Sequence, residues 1–298
     1  MNSGIRTYHE VDELRSDLPD QIAGQDERVS ARLASVARVV AVMSGKGGVG
    51  KSLVAALLAT ALARRGERVG LIDADLNGPS GPRLLGVEPG TLTEGPDGIE
   101  PPASPAGVRV MSMGLLLNPD RALTWHEPAD AGFVWRGAQE RGALREFLAD
   151  VAWGELDILL VDLPPGTQRL AELHALLPEL ASVVAVTIPS PASRDAVARS
   201  LDLARARGLP VQGVIENMSG IRCDACGGLA PLHAGDAGDD LARHFEIPLL
   251  ARLPFDPALG TAADEGRLEA WLDAEGANMN VVRRIVEALR GDAPAEPA

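Results

Sequence analysis

Apolar residues in this chain fall into two alternating patterns: short unbroken runs, and longer stretches in which they recur every third or fourth position. Val36–Met43, Arg68–Asp73, Leu156–Asp162, Ser182–Ile188, Val211–Ile215 and Leu249–Leu253 are the runs, with Val108–Met113 as a shorter one. Their length and lack of polar alternation predict strands buried on both faces. Leu53–Arg65, Gly137–Val151, a segment from about Ser193 to Arg207, Asp239–Phe245 and Asn278–Leu289 carry helical spacing. Strands alternating with helices predict an α/β fold, a mostly parallel sheet with helices on both faces, and residues 36–290 read as one such domain. Residues 1–35 are polar and charged and predict a helical extension, with helix around Val11–Leu14 and Arg28–Ser35. Residues 88–107, rich in Pro and Gly, predict a surface excursion, and 291–298 a disordered tail.

At 298 residues the chain is long enough to bury a sizeable core. Its net charge of −14 argues against nucleic acid or an anionic membrane as the main partner. No apolar run approaches the ~20 residues of a spanning helix, and the polar N-terminal stretch has no signal-peptide core. Both features predict a cytoplasmic protein. Its two cysteines are Cys223 and Cys226. In a reducing compartment such a close pair points to metal binding or redox chemistry rather than a structural disulfide.

The first run leads into Ser44-Gly45-Lys46-Gly47-Gly48-Val49-Gly50-Lys51-Ser52, where Gly45, Gly50, Lys51 and Ser52 fit the G-x-x-x-x-G-K-[ST] phosphate loop. A strand before it and a helix after it are the context that motif requires. Glycines let backbone N–H groups turn toward phosphate oxygens, at a helix N-terminus whose dipole favours anions. A nucleotide would lie along Gly45 to Ser52, with Lys51 on its β- and γ-phosphates and Ser52 on Mg²⁺. Asp75 follows a strand end, where open α/β sheets place ligands; it suits orienting an attacking water or holding Mg²⁺ through water. Asp162 suits the outer shell of that metal. Asp73 reads equally as a functional carboxylate and as one that caps its loop. Asn217 also ends a strand, and its amide suits either a base edge or the closing of a turn.

Cys223-Asp224-Ala225-Cys226 sits in a glycine-rich segment, Ser219–Ala234, and does not open a helix, which disfavours a thioredoxin-like site. A tetrahedral zinc or a cuboidal iron–sulfur cluster generally takes four protein ligands, and one chain supplies two thiolates. Two copies about a twofold axis supply four, so a homodimer with one shared, exposed metal centre is the economical reading. His233 reads as a third ligand or as an ordinary loop histidine.

Lys46 in Lys46-Gly-Gly-Val-Gly-Lys-Ser52 resembles the deviant Walker A loop of the MinD/ParA and nitrogenase-iron-protein class. That implies a lysine reaching the nucleotide of the facing subunit, a cation acting in trans. The catalytic candidates are then Lys46, Lys51 and Asp75. A wider set of motifs resembles the Mrp/ApbC-type iron–sulfur cluster carrier proteins, from about Val39 to Arg267. It comprises Ser44–Ser52, Gly70–Ser80, Pro82–Gly86, Trp135-Arg136-Gly137, Trp153-Gly154, Asp162–Thr167 and above all Glu216–Gly227. This resemblance implies a homodimer that binds ATP, contacts adenine through Asn217, and holds a labile [4Fe-4S] cluster on Cys223 and Cys226 for transfer to apo iron–sulfur proteins.

Around the nucleotide the chain departs from the family pattern. Leu53 stands for the usual threonine, Gln168-Arg169 for Gly-Asp, Asn77 for a common tyrosine and Ser190 for a common glutamine. A hydrogen bond lost to a charged oxygen costs roughly 1.5–3 kcal/mol, which implies weaker nucleotide binding and slow hydrolysis. Two rivals stand beside this reading: a cluster or zinc scaffold that has lost hydrolysis, and a MinD/ParA-like positioning ATPase. The cysteine segment and the lack of a basic patch disfavour the second.

Overall fold

The computed structural model of the protein describes residues 18–116, 142–177, 181–223, 225–226, 228–273 and 277–290. The helix expected around Val11–Leu14, the Trp135-Arg136-Gly137 motif, the start of the helix expected from Gly137 and the tail from Gly291 lie outside the described residues.

The strands are β1 (Val39–Ser44), β2 (Val69–Asp73), β3 (Thr93–Gly95), β4 (Gly98–Glu100), β5 (Arg109–Ser112), β6 (Ile158–Asp162), β7 (Ala181–Thr187), β8 (Val211–Arg222), β9 (Leu229–Ala230) and β10 (Leu249–Phe255). Among the described residues the main sheet runs in the order β10-β8-β7-β1-β6-β2-β5, every neighbour parallel, with β9 added antiparallel to β8. From central β1 the chain first moves toward β2 and β5, then crosses to β7, β8 and β10. Such a reversal opens a crevice at the carboxyl ends of the strands.

All of β1, β2 and β6 is buried, and alternate side chains serve two cores. Val40, Val42, Leu71 and Leu160 join the helices Lys51–Arg64, Pro257–Asp264 and Ala277–Arg290. Val39, Ala41, Met43, Ile72 and Leu159 join the helices Leu18–Leu33, Gln168–Leu176, Pro191–Ala206 and Ala237–Phe245 on the other face. Two covered faces are why these strands show as unbroken apolar runs. Each large aliphatic side chain buried this way contributes roughly 1.5–3 kcal/mol. The helix Lys51–Arg64 is apolar on all sides because it lies under the sheet and is itself covered by Leu268–Asp273 and Ala277–Arg290.

Two expectations, on the N-terminal helix and on β8, need correction, and the structure adds a hairpin and short helices. The N-terminal helix is longer than the Arg28–Ser35 stretch, spanning Leu18–Leu33. Residues 88–107 contain the antiparallel hairpin β3–β4. The helices Gln168–Leu176, Pro257–Asp264 and Leu268–Asp273, each of nine residues or fewer, are too short to show a clear period. Most consequentially, β8 does not stop at Ile215 but continues to Arg222 and turns back as β9, so the glycine-rich segment Ser219–Ala234 begins as a hairpin.

Candidate functional site

The loop after β1 folds back over the strand end and delivers the chain to the helix starting at Lys51. Gly50 makes that turn with φ of +78°, in the left-handed region where a side chain is costly. Gly45 is needed for space: a Cβ there would collide with the backbone of Ala196 and Val197. The Ser44 hydroxyl donates to the Lys46 carbonyl at 3.0 Å, and the Ser44 carbonyl accepts the Gly166 N–H at 3.1 Å. The loop is thereby fixed against both β1 and the segment after β6. Its exit is a helix N-terminus, whose first N–H groups have no intrahelical partner and suit an anion.

Lys51 is 7% exposed. Its ammonium is ion-paired with Asp162 at the end of β6 and lies 3.3 Å from the Ser52 hydroxyl. Burial pushes the Asp162 carboxyl's pKa up; the Lys51 charge and the Ser52 hydroxyl oppose that. Asp75 lies close enough to Asp162 to act on it through its charge, and it accepts the N–H groups of Asn77 and Gly78 at 3.3 and 3.2 Å. Ser52, Asp75 and Asp162 are thus hard oxygen donors grouped beside the loop. Among the described residues no three His, Cys, Asp or Glu side chains converge on one point. The Ser52, Asp75 and Asp162 oxygens are the donor type that Mg²⁺ takes, an ion that keeps several waters and few protein ligands.

Asp73 proves to be a bracket for the loop that carries Asp75. It accepts the N–H groups of Asp75, Ser80 and Gly81 at 3.1, 2.9 and 2.8 Å, and the Ser112 hydroxyl at 3.3 Å. Burial, and then the charge of Asp162, raise its pKa to about 6. Lys46 is half-buried, and its ammonium makes no ion pair among the described residues. Leu53 packs against the core, and Arg169 is buried and ion-paired with Glu172.

Asn217 is 6% exposed, and its Nδ2 donates to the Val49 carbonyl at 2.9 Å. Here it is tied to the phosphate loop rather than turned toward a base edge. Next to it Glu216 accepts the Gly238 N–H at 2.7 Å and pairs with Arg252 at 3.2 Å, joining β8 to β10 and to the helix Ala237–Phe245. Sequence reasoning named Glu216 only as the start of the Glu216–Gly227 motif and gave its carboxylate no role.

Six residues beyond Asn217, β8 reaches the cysteines. Ile221 pairs with Ala230 and Arg222 with Leu229, and the Cys223 N–H donates to the Gly228 carbonyl at 2.8 Å to close the turn. Both cysteines are free and exposed. The Cys226 and Ala225 N–H groups hold the Cys223 thiol below its usual range, favouring the thiolate that binds metal. His233 does not converge with them into a ligand set. Ile221, Leu229, Leu232 and Phe255 are exposed apolar residues on and beside this hairpin.

A ParA family model, described as NUBPL iron-transfer P-loop NTPase, matches residues 35–290. The iron-sulfur cluster carrier protein of Methanocaldococcus jannaschii is 36% identical over 279 residues, covering 92% of this chain and 93% of that protein. The cytosolic Fe-S cluster assembly factor NUBP2 of Bos taurus is 41% identical over 241 residues, covering 79% of this chain and 85% of its own. A nucleotide-binding protein from Archaeoglobus fulgidus, solved in complex with ADP, is similar with a TM-score of 0.69 and 35% identity, covering 83% of this chain and 93% of that one.

Proposed function

The chain belongs to the NUBPL iron-transfer P-loop NTPase family, and from that premise we propose that it is a homodimer that binds ATP, hydrolyses it slowly and carries a labile [4Fe-4S] cluster to apo iron–sulfur proteins. The observation that carries this reading is β8. The same strand ties Asn217 to the phosphate loop and ends in an exposed turn bearing both cysteines.

Loop 45–50 and the helix start cradle the phosphates with backbone N–H groups. Lys51, now held by Asp162, exchanges that partner for the β- and γ-phosphates. Asp162 is then left beside the Ser52 hydroxyl, and these two with Asp75 would hold Mg²⁺ directly or through water. When bound, the ion neutralises charge on the phosphates. Asn217 gives up the Val49 carbonyl to read the base, Asp75 orients the attacking water, and Lys46 acts on the facing nucleotide. Leu53 offers no hydroxyl to the α-phosphate, which supports slow turnover. Cys223 and Cys226 supply half of the cluster's ligands and the second copy supplies the rest. Delivery takes place in the cytoplasm on this reading; no described helix is long and apolar enough to cross a membrane.

Anaerobic reconstitution with iron and sulfide tests it. About one cluster per two chains is expected, with transfer to an apo acceptor, and both are lost in Cys223→Ser. A metal-free monomer after that treatment rejects the reading. The packing of Leu53 into the core also favours a second reading, a carrier without hydrolysis. A Lys51→Ala variant delivering clusters at the wild-type rate would select it.

A further inference from the structure

Between the phosphate loop and the cysteines, β8 contains a joint. Met218 directly follows Asn217 and has φ of +53°, in the left-handed region, in the middle of a strand. A side-chain-bearing residue avoids that region, and methionine has no local hydrogen bond to gain there. The pairing slips at the same place: Asn217 opposes Leu253 and Ile221 opposes Phe255, so β8 takes four steps where β10 takes two. A bulge of this kind bends its strand and re-aims the residues beyond it.

The Met218 side chain reaches back toward the nucleotide region. Its Cε lies 3.7 Å from where a Cβ on Gly50 would be, and Gly50 is the left-handed residue that starts the helix at Lys51. The neighbouring Ser219 hydroxyl is buried and finds no hydrogen-bond partner among the described residues. On either side the strand is pinned, by Val49, Gly238 and Arg252 at Glu216-Asn217 and by β9 at Ile221-Arg222. Strain therefore sits at Met218, between two anchored ends. Backbone strain of this sort persists only where the surroundings hold it in place, and those surroundings include the loop that a nucleotide would contact.

We propose that Met218 is a positioning residue that couples the phosphate loop to the cysteine hairpin. Nucleotide settling on residues 45–52 shifts Gly50 and frees Asn217 from Val49. Met218 then leaves the left-handed region, the bulge between Asn217 and Ile221 rearranges, and Cys223 and Cys226 move with β8. This proposal rests on the nucleotide-binding, cluster-carrying function proposed for the chain, and names the element that would link its two halves. Met218 lies beside the loop and packs against the cluster that includes Val49, but reaches no reacting group; it acts through Asn217 and the strand.

The test is the alkylation rate of Cys223 and Cys226 in the full-length, cluster-free, reduced protein. Rates are compared without nucleotide and with Mg²⁺ plus ADP or a non-hydrolysable ATP analogue, at saturation established by titration for each variant. In the wild type, nucleotide is expected to change the rate about fivefold or more, the lower end of ordinary coupling between sites. Met218→Gly removes both the strain and the side chain that lies beside Gly50, and is expected to reduce the change to less than about 1.5-fold. Met218→Leu keeps an unbranched Cβ and a side chain of similar reach, and should retain most of it. If Met218→Gly fails to melt cooperatively, Met218→Val takes its place: a β-branched residue is the least tolerant of positive φ and should also abolish the change. A Met218→Gly or Met218→Val protein with the full wild-type response overturns the proposal, as does a wild type whose cysteines ignore nucleotide. Iron and sulfide uptake is scored on separate samples of the same proteins. Nucleotide-responsive cysteines in a protein that takes up no cluster would sink the carrier reading and leave the joint standing; cluster uptake without that response would do the opposite.

Discussion

At the Asn217 end of β8 the polar groups are buried and paired. Lys51 holds Asp162, Asp73 brackets the loop to Gly81, and Asn217 is bonded to Val49. At the Cys223 end a backbone hydrogen bond to Gly228 closes the turn, both thiols face solvent, and Ile221, Leu229, Leu232 and Phe255 are uncovered. One strand thus joins a group of buried, mutually paired side chains to two exposed thiols. A buried, mutually paired site is expensive to disturb, because each lost partner strands another polar group away from water. An exposed pair of thiols can change without cost to the fold, and under the proposed function it takes a second copy to complete a cluster's ligands.

This contrast can be broken first at Lys51. Lys51→Ala leaves the Asp162 carboxylate buried without its counter-charge, so urea unfolding near neutral pH should show a loss of roughly 3–5 kcal/mol. Nucleotide affinity should fall by about a hundredfold or more, since the phosphates lose their lysine as well. Lys51→Ala with Asp162→Asn should regain most of the stability and none of the affinity. A single Lys51→Ala variant as stable as the wild type would mean that the pair is not buried as described.

A smaller, pH-dependent effect should come from Asp73, whose pKa is raised from the ordinary 3.8 to about 6. Because the native state binds the proton more tightly than the unfolded chain, the linked stability is fully present below about pH 4 and is lost as pH rises through about 6. Relative to Asp73→Asn, the wild type should therefore lose about 3 kcal/mol at most between those limits, and nothing further above them. Paired urea titrations across that range check both the sign and the window. A difference independent of pH would show that Asp73 keeps its ordinary pKa in the fold.

The smallest effect is expected at the hairpin. Cys223→Ser and Cys226→Ser in the cluster-free protein should leave the urea midpoint unchanged, since exposed side chains with few contacts contribute little to the fold. A shifted midpoint would mean that the cysteines are structural after all, and the contrast between the two ends of β8 would weaken.

The same contrast governs what could be read from the sequence. β1, β2 and β6 were legible because both their faces are covered, which leaves no polar residue to interrupt the run. The phosphate loop was legible because its glycines have fixed positions for backbone reasons: the φ of Gly50 and the closeness of Gly45 to Ala196. The second half of β8 was not. Beyond Asn217 its residues are mixed and partly exposed, and it is held at its far end by a two-residue strand, so neither periodicity nor apolar content marks it. Pairings made across the fold were equally silent, since Lys51 and Asp162 lie 111 residues apart and carry no local signal of each other. The placement of Asn217 against Val49, and the strain at Met218 beside it, belong to that class.

The central claim of the proposed function is that one chain suffices to bind nucleotide, while a cluster takes the cysteines of two. Native mass spectrometry of the anaerobically reconstituted protein tests it most directly. The account predicts clusters only on species of two chains, about one [4Fe-4S] each, while Mg²⁺–nucleotide is found on single chains as well. A single chain carrying the cluster, or a dimer that binds nucleotide and never metal, would contradict it.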